Sequence, residues 1–182
     1  MVGRKVSAAA VNVAISVSLL VGASSLSGES MRTPLEDRRV SVLGPRDPRL
    51  VRAVSLAVAE AVRRLDSAEC REVFSDFADA SGVPLAAKLE ADGQDGRSFL
   101  GWLIFRNGER EAFCDRGAVA LAADPGGRFV TVCGSRFFET QVSDPGYAAA
   151  LVIHEELHVL GLGENPPSAA QITARVIARC GR

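Results

Sequence analysis

The chain carries two histidines, four residues apart, in His154-Glu155-Glu156-Leu157-His158. They lie in the run AAALVIHEELHVL, which Asp144-Pro145 precedes and Gly161 and Gly163 follow. Asp144 suits an N-cap, and Pro145 suits the first helical position, where a missing N–H costs nothing. The run therefore predicts a helix that stops at Gly161 or Gly163. Residues four apart stack one above the other on a helix face, so both imidazoles can reach one ion. The bland alternative is an amphipathic helix that happens to carry two histidines. Two histidines scattered over the chain would fall four apart about 1% of the time, and requiring glutamate after the first brings the coincidence below roughly one in a thousand. All the imidazole chemistry of the chain is confined to this segment.

Catalytic zinc accepts histidine nitrogen at about 2.0–2.1 Å and takes a third protein ligand, leaving one position open. No histidine remains for that role. After His158 the only acidic side chain is Glu164, so a downstream carboxylate ligand must be Glu164. An upstream carboxylate, such as Glu139 or Asp144, is the alternative. Gly161 and Gly163 let the backbone leave the helix and turn back under the metal. Glu155 follows the first histidine at the edge of the same face. There it can take a proton from a water on the metal and pass it to a leaving amine.

Composition limits the setting. The chain has 182 residues, 47% hydrophobic and 24% charged, an ordinary globular balance. Lys plus Arg number 21 against 22 Asp plus Glu, which argues against nucleic acid or an anionic membrane surface as the main partner. Residues 1–23 have a basic start at Arg4 and Lys5, a weakly apolar stretch to Val21, and small residues ending at Ala23. That pattern reads as a secretory signal peptide, cleaved after Ala23, and the run is short for a spanning helix. A secreted or periplasmic location makes Cys70, Cys114, Cys133 and Cys180 two disulfides rather than four thiols. Spacing alone leaves three pairings open.

Residues 24–47 are polar and proline-bearing, and read as a linker or N-terminal arm. A domain over 48–182 follows, long enough to fold alone. Its first helix starts at Asp47-Pro48 and runs to about Leu65, with apolar residues at helical spacing. A second, short helix covers 68–78. The run SFLGWLIF, residues 98–105, reads as a strand ending in an Asn107-Gly108 hairpin turn. Strands over 119–122 and 128–133 flank the turn signal Asp124-Pro125-Gly126-Gly127. A C-terminal helix follows Pro166-Pro167, with Ser168 and Gln171 as a capping box. The expected class is α+β: N-terminal helices, an antiparallel-rich sheet of three to four strands, the histidine helix and a C-terminal helix.

His154 to Glu164 reads HEELHVLGLGE, or H-E-x-x-H-x-x-G-x-x-E. It resembles the long zinc motif of the metzincin metallopeptidases, H-E-x-x-H-x-x-G-x-x-H, over eleven residues, with Glu164 at the last ligand position. A looser resemblance is to deuterolysin-like peptidases, which place paired cysteines and strands ahead of an H-E-x-x-H helix. The zincin resemblance implies a sheet above an active-site helix, a cleft between an edge strand and the metal, and hydrolysis of peptide bonds. It also implies pairing Cys114 with Cys133, which leaves Cys70 with Cys180. Substrate would add as a strand beside the edge strand, for which residues 128–138 are the candidate. The expectation is a secreted zinc metallopeptidase acting on a peptide or protein substrate. His154, His158 and Glu164 bind Zn2+ and Glu155 is the general base. The alternative is a non-catalytic zinc-binding or interaction domain of the cell envelope.

Overall fold

Helix α7, Pro145–Val159, is the axis of the molecule. Every residue from Ala148 to Val159 is buried, including both histidines and both glutamates. A helix with no solvated face must be enclosed on all sides. Helix α1 (Pro48–Arg64), helix α6 (Gly134–Ser143), helix α8 (Ala169–Cys180) and strand β3 (Leu121–Ala123) pack around it. The computed structural model describes residues 41–43, 47–115, 121–123 and 125–181. The signal-peptide reading of 1–23 lies outside the described residues, as does most of the 24–47 arm. All described residues belong to one compact unit.

The caps expected for the three long helices are formed. Asp47 accepts from the N–H of Arg49 at the start of α1, and Asp144 accepts from that of Tyr147 at the start of α7. Ser168 and Gln171 bond reciprocally at the start of α8. The short second helix covers Ala68–Arg71 (α2) and continues as a 3-10 turn over Glu72–Phe74. Helix α3, Leu85–Ala91, completes the N-terminal layer, burying Leu85 and Leu89.

The α+β class holds, but the antiparallel-rich sheet does not. Among the described residues four strands lie in the order β1-β2-β4-β3. Strand β1, Ser41–Leu43, runs parallel to β2, Ile104–Asn107, and β2 runs parallel to β4, Phe129–Val132. Among the described residues only β3 and β4 pair antiparallel within the sheet, with Leu121 opposite Val132 and Ala123 opposite Val130. Residues 119 and 120 of the expected strand and Asp124 of the expected turn lie outside the described residues. The run 98–105 is not one strand. Its first part belongs to helix α4, Gly96–Leu100, opened by a capping box between Asp95 and Ser98, and β2 begins only at Ile104. Asn107-Gly108 is not a hairpin turn. Gly108 donates to the carbonyl of Val132, and a Cβ there would come within 2.2 Å of Thr131 Cγ2. Glycine is required for close approach to β4, not for a reversal of chain direction. The stretch 128–138 is not an edge strand either: β4 is paired on both sides, and α6 begins at Gly134.

Two disulfides staple this arrangement. Cys70–Cys180 joins α2 to the end of α8, and Cys114–Cys133 joins helix α5, Ala112–Asp115, to the residue after β4. Among the described residues no helix is long and apolar enough to cross a membrane.

Candidate metal centre

Helix α7 ends in a way that builds the centre. Gly161 has φ 108°, the left-handed region that favours glycine. Its N–H donates to His158 O and that of Leu162 donates to Leu157 O, the paired bonds of a Schellman stop. A Cβ on Gly161 would also meet Lys88 Nζ at 2.9 Å and Asp79 Cβ at 3.3 Å. Gly163 has neither feature, so one glycine of the pair makes the turn. The reversal carries Leu162 O back to His158 Nδ1, 2.8 Å away, and places Glu164 beneath the histidine face.

Three donor atoms converge there. His154 Nε2 and His158 Nε2 are 2.9 Å apart. Glu164 Oε1 lies 3.2 Å from His158 Nε2 and 3.9 Å from His154 Nε2. Among the described residues these three side chains form a group able to hold a metal ion. A tetrahedral ion with bonds of about 2.0–2.1 Å separates neighbouring donors by about 3.3–3.4 Å, and the three observed distances bracket that value. Glu139, on α6, and Asp144, ten residues before His154 and so about 15 Å along the helix, stand outside the group.

The protonation pattern also suits a cation. A carbonyl oxygen only accepts, so His158 carries a proton on Nδ1, facing Leu162 O, and turns its Nε2 toward Glu164 and His154. Burial, and then the neighbouring His158 ring, lower the pKa of His154 to about 3, so its imidazole is neutral at neutral pH. His154 Nδ1 lies 2.9 Å from the hydroxyl of Thr173 on α8.

Glu155 is 4% exposed and lines the same cleft, whose volume is about 390 Å³. Burial raises its pKa to about 8, with Glu164 adding to the rise, against a lowering hydrogen bond from the backbone N–H of Ala123 in β3. Phe113, Leu121, Pro125, Leu162 and Ala169 supply much of the remaining, apolar wall. The strand beside the cleft is thus β3, which lies at a sheet edge, not the stretch 128–138.

The structure brings together His154, His158, Glu164 and Glu155. Thr173, the Leu162 carbonyl and the Ala123 N–H complete their surroundings, and sequence reasoning found none of the three. Two are backbone groups, which carry no residue signature. Thr173 reads in sequence as an ordinary helical residue, and only packing of α8 on α7 reveals its contact. Compared with known protein families, curated proteins and solved structures, the chain matches none of them.

Proposed function

We propose that the protein is a zinc-dependent metallopeptidase. His154, His158 and Glu164 are its metal ligands and Glu155 its general base. The observation that carries this reading is the approach of two imidazole nitrogens and one carboxylate oxygen to 2.9, 3.2 and 3.9 Å on the floor of a cleft. Two nitrogens and one oxygen are a zinc donor set. When bound, zinc would acidify water and polarise a carbonyl.

The chain's own residues supply the rest. Glu155 is enclosed, so its carboxylate exchanges protons within the cleft. With a divalent ion held by the three ligands, Glu155 would be drawn back from its burial-raised pKa toward the ionised form a base needs. The Ala123 N–H fixes the carboxyl against β3. Glu155 accepts a proton from the attacking water and returns it to the departing amine. Strand β3, at the sheet edge among the described residues, would offer its remaining backbone groups to an extended peptide, and the apolar wall lines the cleft. Two disulfides, and no described helix able to span a membrane, are consistent with a secreted or periplasmic enzyme.

The test is hydrolysis of a defined peptide mixture, read as new N-termini. Cleavage should need zinc, stop on chelation and return with added zinc. Bound zinc without cleavage of any peptide would replace this reading with a non-catalytic zinc-binding domain. Absence of bound zinc would reject both.

A further inference from the structure

The two ligand histidines are held at Nδ1 by different chemistry. His158 faces the Leu162 carbonyl at 2.8 Å, which can only accept. Its tautomer is therefore fixed by the protein alone. His154 faces the Thr173 hydroxyl at 2.9 Å, which can accept or donate. Its tautomer follows whatever occupies Nε2. We propose that Thr173 is a positioning residue for the metal: its hydroxyl oxygen accepts a hydrogen bond from the Nδ1–H of His154 when a cation takes Nε2, making α8 part of the metal site. This inference rests on the metal-centre reading above.

The placement of Thr173 supports the role. It lies on α8 between the buried positions Ile172 and Val176, which seat that helix on the core. The far end of α8 is tied down independently. Cys180 is bonded to Cys70, and Arg179 donates two hydrogen bonds of 2.7 Å to Asp76. A helix held this firmly presents the hydroxyl at a set position. Outer partners of a ligand histidine orient the ring and raise its basicity, and losing one costs about 10- to 100-fold in metal affinity.

The experiment exploits the count of two histidines in the chain. In 15N-histidine-labelled protein, long-range 1H–15N spectra contain only these two rings. With zinc added, both rings should carry the proton on Nδ1. Without zinc, His158 should keep that tautomer while His154 alone changes. In competition titrations Thr173→Val should bind zinc about 10- to 100-fold more weakly, and Thr173→Ser should restore wild-type affinity. A folded Thr173→Val that binds zinc as tightly as wild type would overturn the proposal. So would a zinc-loaded wild type whose His154 lacks a proton on Nδ1, a result that holds even where the valine variant fails to fold. A wild type that binds no zinc would instead sink the metal-centre reading itself.

Discussion

Glu155 and Glu156 are neighbours on one helix, and both are buried, yet they occupy opposite kinds of surroundings. Glu155 lines the cleft, accepts a hydrogen bond from Ala123, and sits near the three donor atoms. Glu156 is 0% exposed, and among the described residues neither of its carboxyl oxygens has a hydrogen-bond partner. Burial, and then Asp95, push its pKa well above the ordinary carboxyl range. Its carboxyl lies under Gly96, where an added Cβ would stand 3.5 Å from Oε1. On the proposed reading one glutamate is placed where burial would serve chemistry, while the other is buried without a compensating contact among the described residues. A step of 100° around the helix separates the two fates.

The comparison breaks most sharply in activity. Glu155→Gln should retain zinc and lose about 10²- to 10⁴-fold in peptide hydrolysis, because an amide cannot accept the proton. Glu156→Gln should leave the rate near wild type, and equal losses in both variants would refute the assignment of the base. Gly161→Ala attacks the cleft side without altering any of the three donor side chains or Glu155. A side chain at φ 108°, pressed against Lys88 and Asp79, should cost about 1–3 kcal/mol of stability. It should also weaken zinc binding by displacing Leu162 and Glu164, as urea titration and zinc competition would show.

Glu156→Met probes the core side. Replacing an unpartnered buried carboxyl with an apolar chain of similar length should stabilise the protein by about 1–3 kcal/mol. Zinc affinity should not change, and a loss of stability in urea titration would mean the carboxyl has a stabilising partner. The smallest effect belongs to a third glutamate, on α1. Glu60 is held at a pKa of about 2, chiefly by its hydrogen bond from Arg63 and then by Arg64. Its folded value lies below the ordinary 4.5. The pair therefore stabilises the fold above pH 4.5, and that contribution disappears as pH falls from 4.5 toward 2. Glu60→Gln should slightly lower stability above pH 4.5 and converge on wild type near pH 2, so that the acid limb of the curve flattens, measured as urea midpoints across that range.

The same division governs how far the sequence could be read. Helices α1, α7 and α8 announce themselves through local chemistry, at Asp47-Pro48, Asp144-Pro145 and Ser168 with Gln171. The histidine spacing and the lone downstream acid, Glu164, point to the three residues whose donor atoms converge. The sheet was misread because pairing is non-local. Parallel partners β1, β2 and β4 are brought together by long crossovers, which no turn dipeptide marks. The aromatic run 98–105 resembled a strand, although Asp95 and Ser98 already offered a helix cap. Thr173 and the isolation of Glu156 depend wholly on which elements pack on α7, so nothing local to either residue reveals them.

The central claim is that Glu164 completes a three-ligand site with His154 and His158. The most direct test is the zinc content of the purified protein, wild type beside Glu164→Ala, with both disulfides formed. The account predicts near one zinc per chain in wild type, and a content lost or sharply reduced in the variant. Full zinc retention by Glu164→Ala would contradict it and move the third ligand elsewhere, and a wild type without zinc would remove the centre altogether.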